Sequence, residues 1–258
     1  MDKLRFLFSE SLMGLGLALL GLVAVKAVGG LQAGGSPQNP NRQLAVVRGV
    51  LYAAILALVI VGARGLGTGV SAGLRALASE RDLNQFRLDL GYQNALRAVE
   101  LRPDDLVYWR ILSTAKFRLG QFDSVLKDQP VYEALSGGKY DEETTMRLAY
   151  CHYFLGQYDQ VYPITENVIQ ANRFFAAPYV LEGMSYMAQK RYAQARQRFL
   201  EVLQFFPSQE AAVEGLAHAH FLMGDTADAL KVLNETQKFP FSPEARKRFD
   251  ALKAFYAQ

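Results

Sequence analysis

Two stretches, "RLGQFDSVL" at 118–126 and "FLGQYDQVY" at 154–162, share Leu, Gly, Gln, an aromatic ring, Asp and Val in the same order, thirty-six residues apart. Thirty-four residues on, "MAQKRYAQARQRFLEVLQFFP" (187–207) puts Lys190 in the Gly place, Tyr192 in the aromatic place and Ala195 in the place of Val125 and Val161. A further thirty-four bring "FLMGDTADALKVL" (221–233), with Gly224 and Ala229 in the same two places. Spacings of thirty-six, thirty-four and thirty-four make an array. A period of this length confines the chain to one class of solution. Each unit is a small supersecondary piece that cannot bury its apolar face alone, so successive units stack and share one elongated core.

Before each turn runs a helical stretch carrying a larger residue and, four positions on, a small one: Trp109 and Ser113, Thr145 and Ala149, Tyr179 and Gly183, Val213 and Ala217. Residues four apart share a helix face, so the small one admits a neighbouring helix while the larger one fills the space a turn away. A second helix follows each turn. Pro103 and Pro207 stop two such helices, because the ring and the missing N–H forbid continuation. Pro130 and Pro163 fall inside second helices, and the spacing predicts that those two start late or bend.

This pattern resembles the tetratricopeptide (TPR) repeat family, whose helix–turn–helix unit recurs every thirty-four residues or so. The family's marks fall on Trp109, Leu112, Leu119, Gly120 and Phe122; on Leu148, Ala149, Leu155, Gly156 and Tyr158; on Tyr179, Gly183, Tyr186, Tyr192, Ala195, Phe199 and Pro207; and on Leu216, Ala217, Gly224 and Ala229. Thr145 and Thr226 depart from the aromatic marks. The resemblance covers 104–240 as four repeats and implies an all-α solenoid. A terminal unit exposes the face that inner units bury, so both ends need covering. Ser242, Pro243 and the face of Ala245, Phe249, Leu252 and Phe255 make 241–258 a capping helix. Upstream, 86–101 has the second-helix pattern without a convincing first helix, and 67–103 is expected to be a connector with a cap or a degenerate repeat.

The resemblance also implies where partners bind, since first helices of TPR units line a concave surface that takes up segments of other proteins. Carried onto this chain, the inward places give Arg110, Phe117, Met146, Tyr150, Tyr153, Met184, Met187, His218 and Phe221 as partner-binding residues. Rings and thioethers suit an apolar or amphipathic segment. TPR domains that grip a chaperone's terminal carboxylate use Lys and Asn at places where this chain has Arg110, Thr114, Arg147, Ala177 and Leu181. That clamp is absent.

Apolar residues concentrate ahead of the array. "SLMGLGLALLGLVAV" (11–25) and "GVLYAAILALVIVGA" (49–63) carry no charge, and the polar, Gly/Pro-rich stretch 29–43 separates them. The spacing predicts a two-helix transmembrane hairpin over 1–66, with Lys26, Arg48 and Arg64 reaching the interfaces. A pair of buried core helices and, because Lys3 and Arg5 precede the first run, a cleaved signal peptide there are the competing readings. The basic residues flanking the spans outnumber those of the loop side five to three, which predicts cytoplasmic repeats over extracytoplasmic ones. Small-residue stripes, Gly14, Gly16, Ala18 and Gly21 among them, allow close contact within the hairpin or with other membrane proteins.

Chemistry finds little foothold. A formal net charge of +3 over 258 residues is too small to argue for nucleic acid. His218 and His220 stand two apart on a helix and diverge, as do Cys151 and His152, so neither pair makes a metal or nucleophile site. "LSGGKYDEE" (135–143) lacks the strand and spacing of a phosphate loop. The single Cys151 excludes an internal disulfide. The expectation is therefore a non-enzymatic, cofactor-free integral membrane scaffold with protein subunits, membrane proteins among them, and the lipid bilayer as partners. It would serve as an accessory or assembly subunit of a membrane complex, or as an adaptor capturing peptide segments for an enzyme or secretion machine.

Overall fold

The computed structural model describes residues 40–257. The chain divides into two compact units, Met1–Ser71 and Ala72–Gln258, and α1 (Pro40–Asn84) passes through the division. There follow α2 (Leu88–Leu101), α3 (Leu106–Arg118), α4 (Phe122–Ser136), α5 (Glu142–Phe154), α6 (Tyr158–Ala171), α7 (Ala176–Ala188), α8 (Tyr192–Phe205), α9 (Glu210–Leu222) and α10 (Thr226–Glu235). A single 3-10 turn, Thr236–Lys238, leads on to α11 (Pro243–Tyr256). Among the described residues there is no strand.

The membrane expectation is overturned. Among the described residues no helix is long and apolar enough to cross a membrane, so the integral membrane location is withdrawn. The first expected span, 11–25, lies outside the described residues, as does most of the 29–43 loop. The second, 49–63, is the early part of α1. Fifteen residues at a rise of 1.5 Å give roughly 22 Å of helix, well short of the ~30 Å hydrocarbon layer. Neither Arg64 nor the glycines after it end the helix, because glycine without proline costs only ~1 kcal/mol per position. α1 runs on past the expected boundary at residue 66 to Asn84.

The last part of α1 is the first helix that 86–101 lacks in the sequence pattern. Ala76 and Leu83 are buried with Ala95, Ala98 and Val99 of α2 and with Ile111, Leu112 and Ala115 of α3. Ser79 donates to the Gly91 carbonyl at 2.7 Å, and Asn94 donates to the buried Asp82 carboxylate at 3.0 Å. Arg87 donates to the same carboxylate, and its charge helps hold that group below the usual carboxylate range against the burial that would raise it.

The turns show the extra unit most clearly. Phe86, Gly120, Gly156, Lys190 and Gly224 all have positive φ, at 57°, 73°, 72°, 60° and 90°. In each, the following N–H reaches five residues back, from Arg87 to Asp82, Gln121 to Lys116, Gln157 to His152, Arg191 to Tyr186 and Asp225 to His220, all at 2.9 Å. This is the Schellman closure, which satisfies carbonyls that a helix end leaves free. Five repetitions, thirty-four or thirty-six residues apart, make five helix pairs between Ala72 and Glu235.

Within a pair, the aromatic mark ties the helix to the loop before it. Trp109 Nε1 donates to the Pro103 carbonyl at 2.8 Å, and Tyr179 Oη donates to that of Arg173 at 3.3 Å, each reaching six residues back. α4 and α6 start directly after their turns despite Pro130 and Pro163, against the late start that the prolines suggested. Between pairs, the tightest packing surrounds Phe199 of α8, which is 1% exposed. A Cβ on Gly183 of α7 would stand 2.5 Å from Phe199 Cε1, and one on Gly215 of α9 would strike the same ring from the other helix. At the C-terminal end Ser242 caps α11 by accepting from the Ala245 N–H at 3.1 Å, and Ala245, Phe249 and Tyr256 close the core over Val213, Ala217 and Leu233.

Candidate binding surface

The backbones of successive first helices, α3, α5, α7, α9 and then α11, approach one another closely, whereas among the described residues those of successive second helices do not. The array therefore curls with its first helices inside, and residues at matching places on them form rows along the inner face.

The central row is Tyr150, Met184 and His218, thirty-four residues apart on α5, α7 and α9. Tyr150 and Met184 are half-buried and His218 is exposed. Burial pushes the Tyr150 phenol above its ordinary range, as expected of a hydroxyl at the edge of an apolar wall. His218 Nδ1 stands 3.0 Å from the Tyr256 hydroxyl, so the α11 cap holds the ring at the end of the row.

The next row is Phe117, Tyr153, Met187 and Phe221, all half-buried. Phe117 meets Phe122 edge-on at 5.5 Å between ring centroids and Tyr150 at 6.4 Å. Tyr153 meets Tyr158 at 5.8 Å, and burial, then the neighbouring Tyr158, raises its phenol. Phe221 stacks on Tyr256 at 4.4 Å. These rings keep an accessible edge while packing on their own units, so they shape the wall as well as presenting it.

The row that begins at Arg110 turns away from solvent. Arg110 is exposed, 3.6 Å from Asp141, but Met146 is only 4% exposed and packs with Ala149, Val161 and Leu181 in the core. Met146 offers a partner almost no surface. Arg147 beside it is buried too, donating to Glu143 at 2.6 Å, and Arg248 is shared between Glu214 at 2.6 Å and Glu210 at 2.8 Å. Ser242 and Arg248 hold the Glu210 carboxyl below its usual range. With these charges matched, the stretch from Tyr150 to Phe221 presents rings and thioethers.

Two more rings complete the face: Phe154, which the inward spacing did not include, and Phe255, which was expected on the covered face of the cap but yields that place to Tyr256. Phe154 is 53% exposed and stacks on Phe122 at 4.6 Å. Phe255 of the cap is 56% exposed and lies 5.6 Å from Phe221. Their signal was the recurrence of large aromatic residues at helix C-termini. Cys151 is fully buried, its thiol pushed up to about 12 by that burial, which leaves it without nucleophilic character at neutral pH. Among the described residues no three His, Cys, Asp or Glu side chains converge on a metal-sized space.

Comparison with known proteins agrees with this geometry. The tetratricopeptide repeat family model matches residues 186–254. MamA from Desulfovibrio magneticus RS-1 (residue 41 to the end) superposes with a TM-score of 0.58 at 16% identity, over 66% of this chain and 96% of its own. The fold is a TPR-type solenoid. A second MamA protein structure gives 0.56 at 13% identity over 66% of this chain and 94% of its own. A thermophilic TPR protein of Thermus thermophilus gives 0.52 at 16% identity over 70% and 97%. At such identities the likeness concerns the fold alone. No curated protein matches the sequence.

Proposed function

We infer that this TPR-type solenoid is a non-catalytic protein-interaction scaffold, an accessory or assembly subunit whose inner face holds an apolar or amphipathic segment of a protein partner. One observation carries the reading. Tyr150, Met184 and His218 repeat at the same place in three successive units and stay accessible, although the residues just before them, Ala149, Gly183 and Ala217, are buried. A row of rings and a thioether along a curved face can follow an extended or helical segment over several turns, burying area at low entropic cost. The MamA and Thermus likenesses support the scaffold class through the fold that they share with this chain.

The test is replacement of Tyr150 and Met184 together by Ser. Each side chain contributes roughly 1.5–3 kcal/mol when fully buried against a partner, so partner affinity should fall at least ~10-fold. Helicity should be retained and melting should fall by only about a few degrees, because Tyr150 and Met184 are half-buried and Tyr150 meets the neighbouring unit only through its ring contact with Phe117. Undiminished co-purification of the same partners at equal yield would count against the inner face.

A further inference from the structure

We propose that Met184 and Met187 form a reversible oxidation site, at which peroxide converts both thioethers to sulfoxides and so weakens the hold of the inner face on an apolar segment. This rests on the inner-face reading above and adds its regulation. Met184 and Met187 stand three residues apart on α7, so they share one helix face, and each is the α7 member of its row. In the same two rows the units on either side present Tyr150 and Tyr153 of α5 and His218 and Phe221 of α9. Of these three helices only α7 gives both places to sulfur, and it lies in the middle of the wall.

Accessibility separates this pair from the other sulfur groups of the array. Both side chains are half-buried, packed at the edge of the cluster around Tyr179, Val180 and Phe199. Met146 is 4% exposed, within the core. Cys151 is fully buried with its thiol pushed up to about 12, so it offers no thiolate for peroxide to oxidise. Met223 is half-buried too, but it caps the C-terminal end of α9 and belongs to neither row. It is the internal comparison.

In the reaction a sulfur lone pair attacks one oxygen of hydrogen peroxide, and the O–O bond breaks as the S–O bond forms. The departing hydroxide takes the proton left on the bound oxygen and becomes water. Sulfur is oxidised by two electrons and peroxide is reduced. The product is polar where the thioether was apolar, and it carries a hydrogen-bond acceptor. An apolar segment laid over that acceptor strips its water and offers no hydrogen bond in return, which is unfavourable. Two such groups on one helix face put that cost at the centre of the wall. Reduction by a pair of thiols returns the thioether, with a disulfide and water as the other products.

The experiment uses the full chain, hydrogen peroxide and the dye anilinonaphthalene sulfonate, which fluoresces on apolar walls, with oxidation at each methionine read by peptide mass spectrometry. Met184 and Met187 are expected to gain one oxygen each while Met146 stays reduced. Dye affinity should then fall about 4-fold or more, the change that the ~0.8 kcal/mol of one buried methylene makes. Methionine sulfoxide reductases with dithiothreitol should restore it. The Met184→Leu/Met187→Leu protein, a volume-conserving exchange, is compared with itself before and after peroxide, and its affinity should not move although its Met223 is oxidised. The proposal is overturned if Met184 and Met187 stay reduced while Met223 is oxidised, if their sulfoxides leave dye affinity unchanged, or if peroxide weakens the Leu protein equally. The inner-face reading fails separately, before any peroxide is added, if the Tyr150→Ser/Met184→Ser protein binds the dye as the parent does, and the proposal falls with it.

Discussion

Replacing Gly183 by Ala tests the packing of the array through the sign of its effect. In an unobstructed helix interior, Ala is more stable than Gly by about 0.8–1.0 kcal/mol. Gly183 is obstructed: the added Cβ would lie 2.5 Å from Phe199 Cε1, 2.7 Å from Cζ and 2.9 Å from Cδ1. The ring has no retreat, because Gly215 confines it from α9 and it is 1% exposed. Overpacking of this kind costs typically ~1–3 kcal/mol, and a ring held on two sides belongs at the upper end. Subtracting the helix-propensity gain leaves a net loss of about 2 kcal/mol. For an array of this size that lowers the melting temperature by roughly 4–8 °C. Thermal and urea unfolding followed by far-UV circular dichroism would measure it. Phe199→Leu added to Gly183→Ala should cost less than the sum of the two single changes, since the smaller side chain gives the methyl room. A melting temperature raised by Gly183→Ala would refute the reasoning, because helix propensity alone would then have decided the outcome.

Lys190→Gly should stabilise the array by up to ~1 kcal/mol, measured as a raised urea midpoint at unchanged slope, since Lys190 is strained by a φ of 60° that glycine adopts freely. Glu182 should make stability fall with rising pH. Burial raises its carboxyl above the ordinary value of 4.5, and the Thr165 hydrogen bond and Arg198 only partly oppose that. Its folded pKa is therefore the higher one, so its favourable contribution is complete below about 4.5 and lost as pH rises through the raised value. Urea unfolding across that window should show Glu182→Gln gaining on the parent as pH rises. A constant difference would contradict the assignment.

How much of this was legible in the sequence follows from which residues mark a turn. Gly120, Gly156 and Gly224 announce three left-handed turns by residue type, and Lys190 is found by counting from them. Phe86 takes the same conformation with a residue that normally avoids it, so the first helix pair was read as half a unit. The uncharged run at 49–63 looked like a span because composition cannot show that the helix goes on to Asn84 and ends in the packed array. Counting inward places from a helical period treated Met146 as equivalent to Arg110. Neighbouring helices decide which of those places opens to solvent, and α6 and α7 cover Met146.

The measurement that bears most directly on the scaffold reading is site-specific photo-cross-linking, with a benzophenone amino acid placed singly at Arg110, Tyr153 and Met187 on the inner face and at Glu133 and Gln160 on second helices. The account predicts that the inner positions cross-link to one segment of one protein partner, in an order following the order of the repeats, and that Glu133 and Gln160 do not. Cross-links to that partner from Glu133 and Gln160 with none from the inner positions would contradict it.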